Sequence, residues 1–202
     1  MNDTEAIERL LRQDPPATDP ELPDLAEPAA AAGLLDVAYA TLDSPLGTLL
    51  LATTPRGLVR IAYLDHADED AIVDGLAQRV SPRVMRAPRK LDEPRRELDQ
   101  YFAGARRTFE LSLDWSLSRG FGRRVLQATA RVPYGAVSSY GQVAAQAGSP
   151  RASRAAGNAL GANPLPIVVP CHRILHAGGG LGGYTGGLER KRRLLAIEGA
   201  IG

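Results

Sequence analysis

From Asp36 onward the hydrophobic pattern turns to short β runs separated by turn-forming residues. Val37 to Leu42, Thr48 to Thr54 and Leu58 to Leu64 each read as a strand. The turn-forming stretches between them, Asp43-Ser44-Pro45-Leu46-Gly47 and Pro55-Arg56-Gly57, predict an antiparallel meander. The period then lengthens to that of helices over Glu69 to Val80 and Leu91 to Phe102, the second with Leu91, Leu98, Tyr101 and Phe102 on one face. Phe109-Glu110-Leu111-Ser112-Leu113 returns to strand alternation. A small α+β domain over residues 35–114 results, with 115–120 as a linker.

Residues 121–202 read as a mostly helical second domain punctuated by glycine. Phe121 to Arg131 is amphipathic through Phe121, Val125, Leu126 and Thr129, and it ends at Pro133-Tyr134-Gly135. Ser139 and Gln142 form a capping box that opens a second helix, which stops at Gly148. Ser149 caps a third, with Pro150 at its first position, where a missing N–H costs nothing. That third helix is built of small residues and two arginines, so its backbone can approach another surface closely. The surface is either a second helix or a DNA groove probed by Arg151 and Arg154. Before Leu35, Thr4 to Arg12 has a short helical pattern, but the repeated prolines among acidic and alanine residues predict a mobile extension over 1–34 without a packed element. No internal repeat is visible.

Composition narrows the class. The chain has 202 residues, 44% of them apolar, enough for one substantial core or two small ones. No run approaches the roughly 18–20 apolar residues of a membrane span, and the N-terminus lacks the regions of a signal peptide; a cytoplasmic location, or a nuclear one in a eukaryote, is expected. Net charge is +1, yet the first 36 residues carry nine acidic and two basic side chains, while residues 119–202 carry eleven basic side chains against Glu189 and Glu198. A basic C-terminal body fits either a nucleic-acid footprint or a solvated surface. The one cysteine, Cys171, excludes an internal disulfide and a multi-cysteine zinc site.

Chemistry concentrates in Asn163-Pro164-Leu165-Pro166-Ile167-Val168-Val169-Pro170-Cys171-His172-Arg173. Ile167 to Val169 reads as a short buried strand that Pro170 ends, with Cys171 at its mouth. A lone cysteine is commonly an inert core residue, but the neighbouring cations His172 and Arg173 would lower a thiol pKa and raise the reactive thiolate. Adjacent side chains diverge, so a water is the natural proton route from Cys171 to His172. A basic histidine needs an orienting acid, and Glu198 is the candidate: in a helix over Leu188 to Gly199 it follows Leu194 and Leu195 by four and three residues, on the buried face unless it bends out to water.

Pro170-Cys171-His172-Arg173, Asn163-Pro164-Leu165-Pro166 before it and Gly182-Gly183-Tyr184-Thr185-Gly186-Gly187-Leu188-Glu189-Arg190-Lys191 after it closely resemble the O6-alkylguanine-DNA alkyltransferases. Val132-Pro133-Tyr134-Gly135, Ser139-Tyr140-Gly141-Gln142 and Tyr101-Phe102-Ala103-Gly104 match in the same order, so the resemblance spans roughly residues 37–200. It implies a ribonuclease H-like N-terminal domain and a winged helix-turn-helix-like C-terminal one. It implies a single, irreversible transfer of the alkyl group from O6-alkylguanine, and from O4-alkylthymine, in double-stranded DNA to Cys171, after minor-groove binding and base flipping. By resemblance, His172 is the water-bridged base, Glu198 its orienting partner, Asn163 the holder of the active-site turn, and Tyr140 the residue that rotates the phosphate and gives a proton to guanine N3. Arg154 resembles the finger that replaces the flipped base, with Arg151, Ser139, Ala152 and Ala155 beside it against DNA. Tyr184, Thr185, Ile174, Leu160 and Gly186 would line the pocket. No metal, no cofactor, no obligate protein partner and a monomer are implied. Two features depart from the family pattern: Leu126 stands where many members have tryptophan, and the extension before Leu35 has no counterpart.

Three other classes fit parts of the sequence. A lesion-recognition protein would lack the acceptor cysteine, a transcription regulator would carry a second DNA-binding domain or a metal-bound sensor, and a cysteine hydrolase would turn over.

Overall fold

The computed structural model describes residues 26–65 and 67–201; the short helical pattern at Thr4 to Arg12 lies outside them. Three strands form the predicted meander: β1 (Val37–Leu42) pairs antiparallel with β2 (Leu49–Thr54), and β2 with β3 (Gly57–Tyr63). Helix α1 (Ala26–Ala31) precedes them, with Ala26 packed into a small cluster with Ala38 and Ala87. The expectation that nothing before Leu35 packs therefore fails for this helix. Alanine is the strongest helix former, and its small side chain lets the helix lie flat on the sheet.

Helix α2 (Glu69–Arg79) follows β3, and β4 (Val84–Arg86) then adds to the other side of β1 in parallel, giving the order β3-β2-β1-β4. At three residues, β4 is too short to show a period in the sequence. A 3-10 turn at Pro88–Leu91 leads into α3 (Asp92–Phe102).

The strand expected at 109–113 does not form. Alternating burial is present there, but pairing with β3 is limited to one bridge between Leu58 and Leu113. Further along the same edge, the Ile61 N–H donates to Pro164 O at 2.8 Å, so a segment from the second half of the chain occupies the position a fifth strand would need. This contact ties the sheet to the turn that precedes Cys171.

After a 3-10 turn at Trp115–Leu117 come α4 (Gly120–Thr129), α5 (Tyr140–Gln146) and α6 (Ser153–Gly161), which pack on one another. The predicted capping box of α5 is present. The third helix starts later than expected: Ser149 accepts from the Ala152 N–H in a separate turn, and Ala152 is an N-cap without a side-chain bond. The two-residue strands β5 (Ser138–Ser139) and β6 (Ile174–Leu175) pair in parallel, and α7 (Leu188–Ile197) closes the fold. No helix among the described residues is long and apolar enough to cross a membrane.

One core joins the two halves. Leu49, Leu51, Leu58 and Ile61 from the sheet and Leu98 and Tyr101 from α3 share a buried cluster with Leu126, Leu160, Leu165, Ile167 and Leu194. Each fully buried leucine contributes about 1.5–3 kcal/mol. Leu126 sits within this cluster.

Candidate active site

Residues 164–170 are buried as expected, but they form a turn and not a strand. Three prolines leave few N–H groups for a ladder, and the Asn163 side chain takes over the bonding. Its Nδ2 donates to Val169 O at 2.9 Å and to Cys171 Sγ at 3.2 Å, while Oδ1 accepts from the Leu165 N–H at 3.0 Å. Ile167 is held at φ +75°, where a β-branched residue is strained and stays only if its surroundings force it. Cys171 then opens a 3-10 turn, Cys171–Arg173.

The Cys171 residue is 5% exposed, and it lines a cavity of about 560 Å³ together with Tyr140, Arg154, Leu160, Tyr184 and Thr185. Burial pushes its thiol up to about 11, against the opposing effects of the Asn163 amide, the Lys191 charge and the backbone N–H groups of Cys171 and His172. At neutral pH the thiol holds its proton. Reaction needs a base.

A candidate base is next in sequence. His172 is fully buried, with Nε2 2.9 Å from Glu198 Oε1. Burial alone would raise the Glu198 carboxyl, but hydrogen bonds from His172, Arg173 and Tyr101 outweigh it and hold the group down at about 2. A carboxylate can only accept, so Nε2 carries the imidazole proton and Nδ1 is the basic nitrogen. Nδ1 is buried without a hydrogen-bond partner among the described residues. Burial also lowers the pKa of His172, keeping it neutral and able to take a proton.

Arg173 does not act on the thiol as its place in sequence implied. Its Nε and Nη2 each donate to Glu198 at 2.8 Å, and Nη1 donates to Val132 O at 2.5 Å. Charge in a low-dielectric setting is strongly localised by its nearest partner, and for Arg173 that partner is a carboxylate. The cation serving Cys171 is Lys191, which was given no role from sequence. It is wholly buried, its Nζ donates to the carbonyls of Ile174, Leu181 and Gly183, and burial lowers its pKa to about 8. Lys191, Leu194, Leu195 and Glu198 recur at helical spacing, so the periodicity that located Glu198 also marks Lys191.

The remaining candidates divide. Tyr140, at the first position of α5, reaches the cavity, where burial first and the charge of Cys171 second raise its pKa. Gly182 has φ +66°, and a Cβ there would collide with the Tyr140 hydroxyl, so glycine is needed for the close approach. Tyr184 and Tyr63 share a hydroxyl–hydroxyl hydrogen bond of 2.9 Å, and Thr185 Oγ1 donates to Gly161 O at 2.8 Å. Ile174 and Gly186 do not line the cavity. The Ile174 carbonyl accepts from Lys191 at 2.6 Å, and Gly186 sits behind the Tyr63 and Tyr184 rings. Ser139, Arg151, Ala152 and Ala155 lie outside the cavity, with Arg151 and Ala155 exposed on the α6 side. Ser153, Gly157, Asn158 and His176 line it without having been singled out. Tyr63 and Tyr101 come from the first half of the chain; Tyr101 donates to Glu198 Oε1 at 2.7 Å across 97 residues, a separation that no local pattern shows.

Residues 120–200 match the model for the DNA-binding domain of 6-O-methylguanine DNA methyltransferase, and residues 37–115 match that for its ribonuclease-like domain. The chain belongs to the O6-methylguanine DNA methyltransferase family. The methylated-DNA–protein-cysteine methyltransferase of Mycolicibacterium paratuberculosis is 42% identical over 162 residues, 80% of this chain and 92% of the relative. The constitutive enzyme of that name from Bacillus subtilis is 39% identical over 163 residues, 79% of this chain and 94% of the relative. Among solved structures, the Mycobacterium tuberculosis O6-methylguanine methyltransferase has a TM-score of 0.69 at 39% identity, covering 81% of this chain and 93% of its own. Mycobacterium tuberculosis OGT in complex with DNA has a TM-score of 0.68 at the same identity and coverage. Membership makes the chain a methyltransferase of DNA repair with a cysteine acceptor, built on the mixed α+β fold described above.

Proposed function

We propose that this family member transfers the alkyl group from O6 of guanine in double-stranded DNA to Cys171, once per molecule. The observation that carries the reading is Cys171 at a cavity wall, next to a buried histidine whose Nε2 is held by the Glu198 carboxylate and whose Nδ1 has no partner among the described residues. A bridging water takes the thiol proton to His172 Nδ1. The sulfur then attacks the alkyl carbon, the carbon–O6 bond breaks, and its electron pair stays on the guanine. Tyr140 gives its phenolic proton to N3, so the leaving base departs neutral. Lys191 and Asn163 favour the thiolate as it forms.

Guanine within a duplex hides O6 from such an attack, so the nucleotide must leave the stack at a cost of a few kcal/mol. In the proposed complex α6 enters the minor groove, where its small residues permit close approach, and Arg154 fills the gap left by the flipped base. O4-alkylthymine offers the same exocyclic alkoxy group and is the second substrate. Nucleophile, base and acid all belong to one chain, so the reaction calls for no cofactor and no protein partner. The thioether product is a dead end because the chain has one cysteine.

The test is single-turnover transfer of labelled methyl from a duplex containing O6-methylguanine. Label should move to the unaltered chain and not to Cys171→Ser. Transfer by Cys171→Ser, or release of label as methanol with repeated turnover, would overturn the reading.

A further inference from the structure

His176 follows β6 and has no part in the mechanism above. Its backbone is fixed in a tight turn: the His176 N–H donates to Gly180 O at 2.8 Å, and the Gly179 N–H donates to His176 O at 2.9 Å. Its side chain is exposed to solvent, yet the imidazole lies against the ring of Tyr140, with centroids 5.2 Å apart and planes tilted by 41°. Both rings border the cavity that holds Cys171 and Arg154.

Tyr140 needs such a support. Its backbone is anchored by the capping box at the start of α5, but anchoring the backbone does not choose a side-chain rotamer. The backbone of Gly157 of α6 meets one edge of its ring and that of Gly182 its hydroxyl, which leaves confinement by a side chain to other residues. The tilted imidazole supplies that confinement, and aromatic pairs in this distance range prefer tilted or offset geometry.

We propose that His176 is a positioning residue for Tyr140: its ring holds the phenol so that the hydroxyl stays over the Cys171 cavity, ready to meet the leaving guanine. The proposal rests on the reading of Tyr140 given above. Contact with a ring, and not charge or hydrogen bonding, is the property that matters.

Two measurements test it on the full chain. In the first, alkyl transfer from an O6-methylguanine duplex is followed under saturating DNA for His176→Ala, His176→Phe, Tyr140→Phe and the Tyr140→Phe/His176→Ala double variant. His176→Ala should slow transfer by about two- to tenfold, the range spanned by an aromatic pair, and His176→Phe should restore most of it. The double variant should be no slower than Tyr140→Phe alone, because His176 acts only through the phenol. A wild-type rate for His176→Ala, a defect in His176→Phe as large as in His176→Ala, or fully additive losses would each overturn the proposal. The second measurement does not depend on alkyl transfer. Ring resonances of Tyr140 in ¹³C-tyrosine-labelled protein should shift and narrow towards those of a mobile ring in His176→Ala and stay in place in His176→Phe; unchanged resonances in His176→Ala would overturn the positioning role. Failure of the functional reading would show instead as no adduct on Cys171 in the unaltered chain, with the ring resonances still responding to His176.

Discussion

Replacing Glu198 by glutamine separates what the buried carboxylate does for the fold from what it does for the reaction. In the native structure it accepts from Tyr101 at 2.7 Å, His172 at 2.9 Å and twice from Arg173 at 2.8 Å, with its residue 5% exposed. Glutamine keeps one oxygen but turns the other position into a donor that faces the Arg173 guanidinium, itself 6% exposed. Breaking a buried ion pair on one side costs about 3–5 kcal/mol, since the remaining charge is left uncompensated. At about 2–4 °C per kcal/mol for a chain of this size, the melting temperature should fall by roughly 6–20 °C. Alkyl transfer should slow by about a hundredfold or more, the low end of what positioned acid–base groups contribute, because neutral glutamine no longer fixes the proton on His172 Nε2. Adding Arg173→Met to Glu198→Gln removes the stranded charge. Stability should then recover by a few kcal/mol, while the transfer rate stays low. Chemical denaturation and single-turnover transfer at saturating duplex measure the two effects. A stability loss under about 1 kcal/mol would refute the ion-pair accounting, and a rate recovered along with stability in the double variant would refute the relay.

Other consequences follow from the same geometry. Arg154→Ala should lose repair of duplex DNA by about one to two orders of magnitude, while its slow reaction with the free base O6-benzylguanine, which needs no flipping, stays nearly unchanged; equal loss on both would place Arg154 in the active-site structure instead. The Glu198 carboxyl is held at about 2, below the ordinary carboxyl range, so its stabilisation is fully present above about pH 4.5 and is lost as pH falls through about 2. Urea midpoints measured over that interval should drop more steeply for the native chain than for Glu198→Gln, and parallel curves would contradict this. In the absence of DNA, alkylation of Cys171 by iodoacetamide should rise about tenfold per pH unit towards a midpoint near 11. A plateau near the ordinary thiol value would show that burial does not control the thiol.

The meander over residues 37–63 was legible because each strand is a short run rich in apolar residues, and the turns between them carry residues suited to tight bends. Residues 109–113 alternate more strictly than these strands and still form no strand, since strand formation also needs a free neighbouring edge, and Pro164 occupies part of this one. Ile167 to Val169 misled for a related reason: an apolar run reports burial, and the prolines with Asn163 decide that the buried backbone turns. In the site, Cys171, His172 and Glu198 could be found from adjacency and helical spacing. Lys191 was accessible by the same spacing. Tyr101 and Tyr63 were not, because their hydrogen bonds join positions 97 and 121 residues apart and exist only once the two halves share a core.

The central claim is that Cys171 accepts the alkyl group and that each molecule does so once. Intact-mass analysis of the chain after incubation with excess O6-methylguanine duplex, followed by peptide mapping, tests it most directly. The account predicts a single added methyl on every molecule, located on the peptide bearing Cys171, with repaired guanine formed in equal amount. Methyl on any other residue, or more guanine repaired than protein present, would contradict it.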